Sequence, residues 1–154
     1  MSDIERSIEI NAPVEKVFQY AADWKNWPEF FEGVFDFKPT TEIERGNGGR
    51  FAYKARVLGM SVPVETEIQE FVENEGWTGV SVSGVKVKTR WIFVKVNGKT
   101  KFTYGQSGSL PIPILGNILD RLFVKPAWER IIENSLQNLK ERMELKTIEE
   151  PIST

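Results

Sequence analysis

Cysteine and histidine are both missing from the 154 residues of this chain, and that pair of absences removes more chemistry than any motif adds. Without thiols there is no disulfide and no thiolate nucleophile; without imidazole there is no ordinary general base near neutral pH and no usual zinc site. A bound metal would need oxygen ligands alone. No metal and no cofactor is expected. An excess of positive charge is missing too. Twenty Lys and Arg against 22 Asp and Glu leave a formal charge of -2, which argues against a partner recognised through its phosphate backbone, so nucleic acid is not expected. No apolar run reaches the roughly 20 residues that a membrane-spanning helix needs. Met1 to Asn11 alternates charged and apolar residues and carries no apolar leader core. The expectation is a soluble cytoplasmic protein. There is also no phosphate loop, no nucleophile elbow and no paired-ligand spacing.

What is present is pattern. Ile4, Ile8 and Ile10 alternate with Glu5, Ser7 and Glu9, the two-residue period of a half-buried strand. The period changes at Asn11-Ala12-Pro13, where Val14, Val17, Phe18 and Ala21 fall at helical spacing. A short helix is predicted from about Pro13, with proline in a first position where its missing N–H costs nothing, to Ala22. Asp23 to Phe31 reads as a second short helical piece, broken or restarted at Pro28 and rich in aromatics.

From Val34 the turn signals recur at Gly46-Asn47-Gly48-Gly49, Gly59, Asn74-Glu75-Gly76, Gly84 and Asn97-Gly98, dividing the segment into about six further strands. Asn97-Gly98 predicts a type I′ hairpin. Alternation places Phe51, Tyr53, Ala55 and Val57 on one face, and likewise Met60, Val62, Val64, Thr66 and Ile68. Val85, Val87, Trp91 and Phe93 oppose Lys86, Lys88 and Arg90, but Ile92, Val94 and Val96 are apolar on the opposite face, which predicts a bulge or a sheet curled enough to bury both faces. After Ile114 the period is helical. One helix is predicted from about Pro126 to Leu145, with Trp128, Ile131, Ile132, Ser135, Leu139 and Met143 on its apolar side. Residues 1–146 are read as one domain and 147–154 as a polar tail.

The segments Ile8 to Phe18, Asp23 to Phe30, Gly98 to Thr100, Leu115 to Leu122 and Leu136 to Lys140, in this order, resemble the START-like superfamily, also known as the polyketide cyclase/dehydrase and lipid transport (SRPBCC) superfamily. The resemblance spans nearly the whole chain. It implies an α+β helix-grip fold: a curved seven-stranded antiparallel sheet wrapped on a long C-terminal helix, with two short helices after strand one. That superfamily holds lipid carriers, receptors, cyclases and hydroxylase subunits, and a fold does not choose among them.

A sheet closed by one helix can enclose an apolar cavity, and the phases above nominate its lining. Trp27, Phe30, Phe51, Trp91, Phe93 and Phe102 would supply aromatic walls, or else plain core. Trp128 and Ile132 would close the cavity from the helix. Tyr53, Thr66, Tyr104 and Gln106 are the inward polar groups that could orient an apolar ligand, or bond to one another. Trp24, Phe31, Ile112 and Ile114 are candidate gate residues, the last two from an apolar loop, Leu110 to Leu115, that could also touch a membrane transiently. Arg90 reads as outward, in a solvated row with Lys86 and Lys88. No residue is nominated as catalytic. The expected function is binding of a hydrophobic small molecule (lipid, isoprenoid or polycyclic); the alternatives are a cyclase/dehydrase-like enzyme and a protein- or membrane-surface module. The sequence leaves the oligomeric state open.

Overall fold

The computed structural model describes residues 3–57, 59–108 and 125–149, the side chains of residues 57 and 147–149 excepted. Strand β1 (Ile4–Ile10) is followed by helix α1 (Val14–Ala21), which buries Val14, Val17, Phe18, Tyr20 and Ala21. Pro13 stands at the N-cap of α1, extended at φ -62° and ψ 144°, one position before the place expected for it. A 3-10 turn (Trp24–Asn26) follows, with the Asp23 carboxylate accepting from the Lys25 N–H at 3.1 Å. It passes into α2 (Trp27–Phe30), where Pro28 falls in the first turn and costs no hydrogen bond.

Six strands come next: β2 (Val34–Pro39), β3 (Arg50–Val57), β4 (Met60–Val72), β5 (Gly76–Gly84), β6 (Val87–Val96) and β7 (Lys99–Gly108). The sheet order is β1-β7-β6-β5-β4-β3-β2, antiparallel at every pairing. The chain begins at one edge, crosses through α1 and α2 to the other, and returns strand by strand. Asn97 and Gly98 have φ of 52° and 78°, the left-handed pair that a type I′ turn requires. Helix α3 (Lys125–Glu149) lies in the grip of the curved sheet. Its 25 residues span about 37 Å at ~1.5 Å per residue. It ends later than the pattern predicted. Pro126 is its second described residue. This is the helix-grip fold. None of the described helices is long and apolar enough to cross a membrane.

Curvature comes from register shifts in β2, between Phe35 and Lys38, and at two places in β4. The bulge expected in β6 is absent. Val87 to Val96 pairs with β7 without interruption, and Ile92 and Val94 are simply exposed on the outer face, at 39% and 46%. Alternation there reported the inner face correctly; the outer apolar residues have the β-branched shape that suits any strand surface. Gly76 is fixed by close approach: with φ 143°, a Cβ at this position would stand 1.9 Å from the Trp91 carbonyl oxygen.

Helix α3 is pinned on two sides. Toward β1, the Arg6 guanidinium donates to Glu129 and Glu133, the Asn11 N–H donates to Glu144, and Lys140 donates to the Glu9 carbonyl. Toward α2, the buried Ser135 hydroxyl accepts from the Glu32 N–H at 2.9 Å, Asn134 donates to the Glu32 carboxylate, and Asn138 donates to the Phe30 carbonyl.

Candidate functional site

Inner-facing residues of β6 and β7 pair as rungs: Phe93 with Phe102, Trp91 with Tyr104, and Thr89 with Gln106. Along these rungs the interior changes from hydrocarbon to polar. At the first rung the rings stack at 4.8 Å and meet Phe18 of α1, so the space is solid. Beyond the second rung a cavity of about 80 Å³ opens. Trp27, Phe31, Phe37, Trp77, Trp91 and Trp128 form its aromatic walls, Val34, Ala55, Val64, Ile68, Val85 and Val87 its aliphatic ones, and Tyr53, Thr66, Thr89, Tyr104 and Gln106 its polar groups. Gly79 contributes by lacking a side chain, since a Cβ there would stand 2.6 Å from the Thr89 hydroxyl.

Three of the polar groups are connected. The Trp128 Nε1–H donates to Gln106 Oε1 at 2.9 Å, and the Tyr104 hydroxyl donates to the same oxygen at 3.3 Å. Tyr53 of β3 and Thr66 of β4 add two further hydroxyls to the lining. Burial pushes the Tyr53 phenol up to about 12, with Thr66 partly offsetting it. Tyr104 is raised further, first by burial and then by the nearby Tyr53. Both phenols therefore stay protonated near neutral pH and act as hydrogen-bonding groups, not as bases. The described lining residues include no carboxylate, lysine or arginine.

The nominated residues divide by position. Trp27, Tyr53, Thr66, Trp91, Tyr104, Gln106 and Trp128 line the cavity. Phe30, Phe51, Phe93, Phe102 and Ile132 do not: each is 3% exposed or less and packs in the surrounding core, with Phe51 held against Trp24 and Trp27. They share the inward phase of the lining, but neighbouring rings fill the space in front of them. Of the gate candidates, Phe31 borders the cavity against Trp91 and Tyr104. Trp24 lies away from it, its Nε1–H donating to Glu44 at 2.8 Å. Ile112 and Ile114, with the apolar loop Leu110 to Leu115, lie outside the described residues. Arg90 is exposed, as read from the sequence.

Sequence reasoning missed Phe37, Trp77 and Thr89 in the lining. Phe37 could not be found by strict alternation, because Asp36 at φ 57° breaks the phase and brings both Val34 and Phe37 to the cavity. Thr89 was legible, since the alternation through Val87 and Trp91 passes through it. Trp77 is positioned by pairing with Trp91, their rings stacked at 4.6 Å.

This combination of fold and interior is that of a helix-grip domain built around a cavity. The chain belongs to the family described as polyketide cyclase / dehydrase and lipid transport, which matches residues 1–144. Among solved structures it is similar to TTHA0849 from Thermus thermophilus, at 21% identity and a TM-score of 0.82 over 95% of this chain and 99% of that one. It is also similar to a START superfamily protein from Mycobacterium smegmatis, at 15% identity and 0.76 over 94% and 99%. The di-domain ARO/CYC StfQ of the steffimycin biosynthetic pathway matches at 15% identity and 0.75, over 94% of this chain and 51% of that one. At these identities the likeness is one of fold. No match is found among curated proteins.

Proposed function

We propose that this protein binds a hydrophobic small molecule in the cavity between the sheet and the N-terminal half of α3. The observation that carries the reading is the lining itself: aromatic and aliphatic walls, a few polar groups gathered on neighbouring strands, and no charged side chain among the described lining residues. Burying apolar ligand surface contributes about 25 cal/mol per Å², so affinity needs few polar contacts. A volume of about 80 Å³ is below the roughly 300–1,000 Å³ of drug-sized sites, which favours a compact ring system over a long acyl chain. Two protonated phenols with no carboxylate or cation beside them weigh toward binding over acid–base catalysis.

Four of the five tryptophans, Trp27, Trp77, Trp91 and Trp128, line the cavity, so ligand entry is read by tryptophan fluorescence. Native mass spectrometry of the freshly purified protein, with organic extraction, is expected to release an apolar compound whose re-addition changes that fluorescence. Val87→Trp, which fills the cavity, is expected to abolish the response. An apo mass together with no response to apolar ring compounds would sink the reading, and so would undiminished binding by Val87→Trp.

A further inference from the structure

The polar end of the cavity has a hydrogen-bond polarity that can be read from its own pairings. Trp128 Nε1–H can only donate, so the Gln106 atom 2.9 Å from it is the amide oxygen, and this partner fixes the orientation of the amide. The same oxygen also receives the Tyr104 hydroxyl. Both acceptor positions of the one side-chain carbonyl in the described lining are thus taken, and what Gln106 has left to offer is its amide N–H groups. Tyr53 adds a phenol O–H to the same lining, a group able to donate to a ligand acceptor.

We propose that this end of the cavity receives a neutral hydrogen-bond acceptor, a ketone carbonyl on a compact ring system, met by the Tyr53 hydroxyl and the Gln106 amide. The proposal rests on the binding function above and names the chemical class of its ligand. A ligand hydroxyl or amine would need an acceptor, and the strongest one is occupied twice. A carboxylate would find donors but no cation among the described lining residues, and an unpaired charge in such a space is costly. The six aromatic walls suit a flat ring carrying that carbonyl.

The test uses four probes on one skeleton: indane, 1-indanone, 1-indanol and indane-1-carboxylate, each titrated against the intact protein by tryptophan fluorescence and calorimetry. One added hydrogen bond predicts that 1-indanone binds about fivefold to tenfold more tightly than indane, that 1-indanol gains little, and that the carboxylate is weakest. In Tyr53→Phe, checked for folding by thermal unfolding, the advantage of the ketone over the hydrocarbon shrinks. Equal affinities for indane and 1-indanone overturn this inference and leave the binding function standing, as does a preference for the alcohol or the carboxylate. Failure of all four, indane included, overturns both.

Discussion

The two ends of the interior share one sheet and one alternation, yet one is solid and the other hollow. At the solid end α1 lays Phe18 onto Phe71, Trp77 and Phe93, and Phe93 stacks on Phe102. Thr100 there is fully buried and spends its hydroxyl on the Ala12 carbonyl at 2.8 Å. At the hollow end the corresponding rungs carry Thr89, Gln106 and Tyr104, with Trp128 of α3 and Phe31 set against them. The difference lies in which residues occupy the rungs and in which helix covers them. Rings that interlock leave no room for a guest, whereas polar groups that bond sideways along the wall hold space open.

The largest expected effect is at the solid end. Phe102 is 1% exposed and stacked on Phe93. Phe102→Ala should cost about 3–5 kcal/mol in denaturant unfolding, because the lost ring leaves a cavity that its packed neighbours cannot collapse into. A cost near ~1 kcal/mol, at the low end for a core truncation, would mean that the two ends are equally loose and the contrast is false.

A smaller effect tests whether the hollow end is dry. All three tyrosines have raised phenol values: Tyr20 by burial and by the Glu29 carboxylate it bonds, Tyr53 by burial to about 12, and Tyr104 by burial and Tyr53. The unfolded chain ionises near 10.0, so this contribution to stability is intact below that pH and is lost as pH rises from it toward the folded values. Spectrophotometric titration should show no phenolate while the fold persists, then a single rise on unfolding. Phenolate appearing near pH 10.0, the ordinary phenol value, in a Tyr20→Phe variant that leaves Tyr53 and Tyr104, with the circular dichroism unchanged, would show water reaching the hollow end.

The contrast between the ends was only half legible in the sequence. Strand number, the hairpin at Asn97-Gly98 and the closing helix follow from local periodicity and turn chemistry, which are properties of neighbouring residues. The inward phase of Tyr53, Thr66, Tyr104 and Gln106 follows in the same way. Alternation gives the face of a residue but not what stands in front of it. Phe102 and Tyr104 are one rung apart in the same phase, and only the placement of α1 makes one core and the other wall. Phe37 was hidden for a different reason: the left-handed Asp36 shifts the phase of β2, and a lone aspartate between Phe35 and Phe37 reads equally well as an ordinary outward strand residue.

The smallest effect concerns the clasps that hold α3 to β1, one toward each end. Near the hollow end Arg6 bonds Glu129 and Glu133; near the solid end Glu144 accepts from the Asn11 N–H at 2.9 Å and from Lys140 at 2.6 Å. Burial alone would raise the Glu144 carboxyl, but Lys140, the Asn11 N–H and Lys99 outweigh it and hold it below 4.5. A depressed carboxyl contributes stability above its unfolded value, and that contribution is lost as pH falls through the folded one. Glu144→Gln keeps an acceptor for Asn11 and removes the charge. With the side chain 32% exposed, solvent screening limits the loss at neutral pH to a few tenths of a kcal/mol, about 1 at most. The urea midpoints of parent and variant should converge once the pH is low enough to protonate Glu144, and the gap at neutral pH should narrow with added salt. A gap of equal size at both pH values would mean that geometry, not charge, holds the clasp. Neutralising Arg6 should cost a similarly small amount, because its guanidinium too is partly exposed, at 36%. Equal clasps at unequal ends would place the difference between solid and hollow in the rungs of the interior, and not in how firmly the helix is tied down.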